Sequence, residues 1–267
     1  MKQHAEYAAK VRRLVGRMKK EEAAPEPAEM KDMMDLLLHC ILSTRAAESR
    51  AHTAVSRLRS GTVDLNDLRV SSPTEIVELI GADYPMCRLA AEEICATLTS
   101  IFNRRHSLDL EFLEKSSRKA TETFLNSLAG LGAHAKALFI LRSGKGKALP
   151  IDWHMYAYLQ KSGAVPMEMD IDEAHKFMAA HVKEAEMESF YLKLKKFAGA
   201  HAPKKWPEAK APEPEAKPVP ATAPPPRKSV KEMAREIVRK RKASDAKPSR
   251  SPAKSAARSG KSSARKK

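Results

Sequence analysis

The segment Leu128-Ala129-Gly130-Leu131-Gly132 offers the clearest chemistry in this chain. Two glycines separated by one residue permit a tight turn with positive φ and leave backbone N–H groups uncovered where a helical pattern starts at Ala133. Such N–H groups, reinforced by the helix dipole, bind a phosphate well. Twenty residues past Gly132 stands Asp152, after the extended run Leu149-Pro150-Ile151 and at the head of another helical pattern. Its carboxylate suits an N-cap, accepting from backbone N–H groups of that helix. A Gly-x-Gly alone is a weak signal, because an ordinary interhelical turn uses the same residues. An ordinary turn, however, gives no account of Asp152.

The elements that must position these residues are all helical. Glycine and β-branched residues are sparse in the body, Ala, Leu, Met, Lys and Glu abound, and apolar residues repeatedly recur at i, i+3, i+4, i+7. The pattern predicts helices over Glu6 to Lys20, Met30 to Ser43, Glu48 to Leu58, Pro73 to Ile80, Met86 to Phe102 and Leu110 to Lys115. It continues with Arg118 to Leu128, Ala133 to Arg142, Asp152 to Lys161, Asp172 to Val182 and Glu186 to Phe197. Ser72 before Pro73, with Glu75 in the first turn, is a helix-start signature. Connections are short, so an all-α, compact body is expected over residues 1–202.

Charge is distributed unevenly over the 267 residues. From Arg227 to Lys267, sixteen Lys or Arg stand against three acids, a net +13 of the chain's +16. A localised cationic tail is a sequence-independent handle on a polyanion, with nucleic acid the leading partner. Residues 203–228 have the Pro/Ala-rich composition of a linker, and 229–267 read as a basic, largely disordered tail. The tail has no large apolar residue after Val238, no apolar run approaches the roughly 18 residues of a spanning helix, and no signal-peptide pattern opens the chain. No membrane association is expected, and the reading is of an intracellular protein in the cytoplasm or nucleoid. Cys40, Cys87 and Cys95 lack metal spacing and read as buried, reduced thiols.

Three ordered blocks carry a more specific likeness. LAGLGAHAKALFIL followed by LPIDWHMYAYL resembles the helix-hairpin-helix and catalytic-aspartate block of the endonuclease III superfamily of DNA glycosylases. Upstream, LLLHCILSTRAAESRAHTAVSRL resembles the early helix pair of that family, and LIGADYPMCRLAAEEI its Ile-Gly-x-x-x-x-Lys-Ala block. The likeness spans approximately Asp32 to His201. It implies a two-lobed helical DNA glycosylase-like domain with the hairpin at 128–132, and double-stranded DNA as partner.

The resemblance also assigns roles. Asp152 takes the position of the aspartate that stabilises positive charge on the sugar as the N-glycosidic bond breaks, or activates water; its other reading is the plain N-cap. Gly130, Leu131 and Gly132 fall where the hairpin contacts DNA. Arg45 occupies the loop position whose side chain fills the gap left by a flipped nucleotide, its other reading being a surface cation. His154 matches a histidine beside the aspartate, although a lone helix histidine is more often structural. His134 stands where bifunctional members carry the lysine that forms a Schiff base, which imidazole cannot do. A conventional lyase activity is therefore not expected, and His134 either contacts the nucleotide or phosphate or fills space. Lys136 does not replace that lysine, since two residues turn a helix by about 200°.

Other departures bear on cofactors. Many relatives hold an iron–sulfur cluster with four cysteines after the last helices, whereas the corresponding 194–201 stretch has no cysteine and none follows Cys95. No cofactor and no metal are expected. Two functions follow: a monofunctional DNA N-glycosylase using Asp152, or a catalytically inactive hairpin module that binds DNA with help from a histone-like tail.

Overall fold

The computed structural model describes residues 2–22, 26, 27 and 29–201. The linker and basic tail expected over 203–267 lie outside the described residues. Eleven α-helices occur among those described: α1 Lys2–Lys20, α2 Met33–Ser43, α3 Glu48–Gly61, α4 Leu65–Val70, α5 Pro73–Ile80, α6 Cys87–Arg105, α7 Arg118–Asn126, α8 Ala133–Arg142, α9 Trp153–Lys161, α10 Ile171–His181 and α11 Met187–His201. No strand is present among the described residues, so the all-α expectation holds.

α2 lies at the centre, because nearly every position of its sequence is apolar. Met34 to Ser43 are all buried, and α2 packs on α3, α6 and α8 at once. Leu37, Leu38, Ile41 and Leu42 are almost wholly withdrawn from solvent, each contributing roughly 1.5–3 kcal/mol of hydrophobic stabilisation. α3 to α6 build one group of packed helices. α1 joins α10 and α11, and α11 packs on α9, so the N-terminal helix completes the C-terminal group. α8 packs on α2 and α7.

Local signals set the boundaries. Ser72 and Glu75 close a full capping box at the start of α5, and Asp32 accepts from the Asp35 N–H at 2.7 Å to start α2. Two expectations need correction. α4 was missed because six residues with one buried side chain, Leu68, are too short for periodicity; its signal is the Asp64 cap on Asn66 and Asp67. The helix expected over Leu110 to Lys115 is only a 3-10 turn, Glu111–Leu113. No described helix is long and apolar enough to cross a membrane.

Candidate active site and nucleic-acid interface

The hairpin between α7 and α8 is held on α6 by three contacts. Thr97 Oγ1 donates to the Ala129 carbonyl at 3.2 Å, the Ala129 N–H donates to Ser100 Oγ at 3.2 Å, and Arg104 Nη2 donates to the Ser127 carbonyl at 2.6 Å. The two glycines do different work. Gly130 has φ +79°, and a Cβ there would lie 2.7 Å from Ala96 Cβ and 2.9 Å from the Glu93 carbonyl oxygen. Gly132 instead has φ −74° and ψ 164°, extended backbone open to any residue, so positive φ is needed at one glycine and not both. Gly132 is the N-cap of α8 without a side-chain cap, and nothing lies within 4 Å of where its Cβ would be. Leu131 is buried, which leaves its backbone and not its side chain for any nucleic-acid contact.

Asp152 caps α9, its Oδ1 accepting from the Met155 N–H at 2.8 Å. The residue is 4% exposed, yet it lines a cleft of about 760 Å³ together with Arg45, Glu48, His154 and Lys195. Burial drives its carboxyl above the ordinary range; Lys195, the α9 N–H groups and His154 pull the other way.

Sequence reasoning missed Lys195. This residue of α11 is 8% exposed, and its Nζ lies 4.0 Å from Asp152 Oδ2. Nζ donates to Glu48 Oε1 at 3.1 Å, to Tyr191 OH at 3.0 Å, and to the Ser43 carbonyl. Glu48 also receives Arg142 Nη2 at 2.7 Å and the Tyr191 hydroxyl at 2.8 Å. Burial works against its charge, but Lys195 and Arg142 outweigh that and hold the carboxyl at about 2. His39 stands 3.6 Å from Glu48, but burial lowers its imidazole to about 4, so it is a neutral hydrogen-bond partner, not an ionic one. A signal for Lys195 did exist: Met187, Phe190, Tyr191, Leu194 and Ala198 form the buried stripe of α11, and Lys195 falls within it. A charge at a core position of a helix calls for a buried partner.

His134 does not line the cleft. Its ring is buried, with Nδ1 3.2 Å from Thr44 Oγ1 and Nε2 3.4 Å from Tyr191 OH. Burial foremost, and Lys195 after it, keep the imidazole well below its usual range and hence neutral. The phenol proton is committed to Glu48 and the Thr44 hydroxyl donates to the Cys40 carbonyl at 3.2 Å, so both ring nitrogens of His134 face hydroxyl oxygens whose protons are directed elsewhere. Of the two roles open to His134, this geometry favours filling and bonding the core over contact with a nucleotide.

Arg45 makes a two-pronged ion pair with Glu93 of α6, at 2.7 and 2.6 Å, with its side chain 10% exposed. The sequence suggested a surface cation or a wedge, and the structure shows a largely buried, latched one that lines the cleft. His154 lines the same cleft. Asp152, Arg45 and His154 are thus brought together, with Glu48 and Lys195 added and His134 set behind.

Among the described residues no three His, Cys, Asp or Glu side chains converge as metal ligands. Cys40 is buried in α2, while Cys87 and Cys95 belong to α6. With no thiol in 194–201, these residues do not fit a four-cysteine iron–sulfur centre.

No protein-family model and no curated protein matches the chain. Solved structures do. Endonuclease III trapped as a covalent intermediate with DNA superposes with a TM-score of 0.57 at 16% identity, over 79% of this chain and 92% of that one. The 8-oxoguanine glycosylase/lyase of Clostridium acetobutylicum, in complex with duplex DNA, gives 0.55 at 13% identity, over 74% and 70%. The 3-methyladenine DNA glycosylase of H. pylori, bound to ethenoadenine, gives 0.53 at 14% identity, over 72% and 99%. The chain therefore has the endonuclease III-like, helix-hairpin-helix DNA glycosylase fold.

Proposed function

We propose that this protein is a base-excision-repair DNA N-glycosylase that hydrolyses the glycosidic bond of a flipped base without lyase chemistry. The observation that carries this reading is Asp152, a nearly buried carboxylate that nonetheless opens onto a cleft shared with Arg45 and His154. The uncapped N-terminus of α8 and the Gly132 backbone hold a duplex phosphate. The target nucleotide leaves the stack for the cleft, and Arg45 fills the vacancy. As the C1′–N bond breaks, the base departs with the electron pair and gains a proton. Positive charge builds on the sugar against the Asp152 carboxylate, and a water oxygen completes the bond at C1′ while giving up its proton. His134 offers no amine, so the strand stays intact after base loss. The basic tail adds salt-sensitive, sequence-independent affinity for double-stranded DNA.

The test uses end-labelled duplexes bearing uracil, alkylated purines, oxidised pyrimidines or mismatched adenine, with half of each reaction heated in alkali and Asp152→Asn run in parallel. Cleavage only after alkali, absent in the variant, supports the reading and names the base. Strand cleavage without alkali refutes the monofunctional assignment. A second reading, a non-catalytic DNA-binding module, is favoured by the Arg45–Glu93 latch, which ties down the side chain the flipping step needs. Salt-sensitive duplex binding with no base loss on any substrate selects it.

A further inference from the structure

Asp152, Lys195, Glu48 and Arg142 form an alternating chain of charges through the core, with contacts of 4.0, 3.1 and 2.7 Å. Arg142 continues it to Glu188 at 3.3 Å and to His39 at 3.1 Å. We propose that Lys195, fixed in place by Glu48, is the positioning residue that keeps Asp152 ionised and directed into the cleft. The catalytic consequence rests on the glycosylase reading; the ionisation itself does not.

Geometry separates this role from the other one open to a lysine beside an aspartate. A nucleophilic amine needs a free lone pair. The three donors of Lys195 are already directed at the Ser43 carbonyl, Glu48 Oε1 and Tyr191 OH. Two carboxylates flank the amine, Glu48 at 3.1 Å and Asp152 at 4.0 Å. Lys195 is thus a fixed cation facing a carboxylate whose charge burial disfavours.

Of the other groups facing Asp152, His154 and the α9 N–H groups also favour its charge but come after Lys195, His134 of α8 is neutral, and Tyr191 of α11 is held well above its usual range by burial. Burial lowers His175 of α10, whose ring Nδ1 lies 2.9 Å from the Leu149 carbonyl. Arg45 is committed to Glu93. Lys195 Nζ, 4.0 Å from Asp152 Oδ2, is the largest of the influences that oppose burial at this carboxyl.

The experiment reads the carboxylate directly. Full-length protein is labelled with carboxyl-¹³C aspartate, and the Asp152 signal is assigned by its loss in Asp152→Asn. Its titration midpoint is then compared in wild type, Lys195→Met and Lys195→Arg. The expected result is an upward move of about one pH unit or more in Lys195→Met, a tenfold change in ionisation, with return toward wild type in Lys195→Arg. An unmoved midpoint in Lys195→Met overturns the inference and leaves Lys195 a structural ion-pair partner of Glu48. If Lys195→Met does not fold, Lys195→Met/Glu48→Gln removes the pair together without stranding Glu48, and the same upward move is expected. On a lesion duplex, the acid limb of the excision rate should follow the midpoint. A shifted midpoint in a protein that excises nothing keeps this inference and sinks the glycosylase reading. Borohydride trapping of wild type on an abasic duplex, lost in Lys195→Met, overturns the cation role by showing a nucleophilic amine.

Discussion

His134 Nε2 meets the Tyr191 hydroxyl at 3.4 Å inside the core, behind the wall that carries Asp152. A lysine substituted here would place a second ammonium near Lys195 and lose the Thr44 contact. His134→Lys is therefore expected to destabilise the fold by about 3 kcal/mol, the scale for an uncompensated buried charge, and to trap no abasic DNA with borohydride. His134→Gln keeps a donor and an acceptor, and its expected cost is about 1 kcal/mol. Urea midpoints for both variants check this order; a stable His134→Lys that gains lyase activity would contradict the placement.

Asp152 should trade stability for activity. Its folded-state carboxyl titrates above its ordinary value, chiefly because of burial. For a group raised on folding, the favourable contribution is full below the unfolded value of 3.8 and is lost as pH rises through the folded value. Asp152→Asn keeps the cap on Met155 but cannot ionise. It should therefore be more stable than wild type at neutral pH, with the gain vanishing on acidification below that window. Excision should fall by about 100-fold or more. Thermal unfolding across pH, run beside the cleavage assay, reads both.

How far the sequence reaches is visible in these same residues. The hairpin and the α9 cap were legible because each is local: a Gly-x-Gly between helical patterns, and an aspartate at a helix start. Lys195 and Glu48 were not, because their meeting depends on α3, α9 and α11 converging through long-range packing. His134 could be aligned to a position, but its partners Thr44 and Tyr191 come from distant segments. The direction its ring faces is decided by packing, not by spacing.

The two hairpin glycines should separate folding from binding. Gly130→Ala puts a Cβ 2.7 Å from Ala96 Cβ and keeps φ at +79°, an expected loss of about 2 kcal/mol or more. Gly132→Ala meets nothing within 4 Å and sits at φ −74°, so stability should change by no more than about 0.5 kcal/mol. The added methyl nevertheless crowds the approach to the α8 N–H groups, and duplex affinity should drop. Urea unfolding and fluorescence anisotropy together give the test; equal stability losses at both glycines would discard the distinction.

Truncation after Ala202 removes a segment whose last residues, Arg227 to Lys267, hold sixteen Lys or Arg against three acids. Counterion release then requires a shallower dependence of affinity on salt and at least about tenfold weaker duplex binding near physiological ionic strength. Under saturating DNA the rate of base loss should not change, since Asp152 and its cleft remain. Equal affinity of the two forms across a salt series would refute the tail's electrostatic role.

Arg45 cannot both fill a base vacancy and keep its latch, so the proposed flipping role requires the Glu93 pair to open when DNA binds. Glu93 lies on α6, and its own carbonyl is one of the close neighbours of Gly130. The pair therefore ties Arg45 to the helix that seats the hairpin. Glu93→Gln weakens the ion pair at 2.6 Å while keeping a hydrogen-bonding group of the same shape, for an expected stability loss of about 1 kcal/mol. The freed guanidinium should extrude a target nucleotide more readily, read as a larger rise in 2-aminopurine fluorescence at the flipped position. Arg45→Ala should show the opposite, losing most of that rise while still binding the duplex through the hairpin. If Arg45→Ala extrudes the base as well as wild type does, Arg45 is an anchor for α6 and the wedge lies elsewhere.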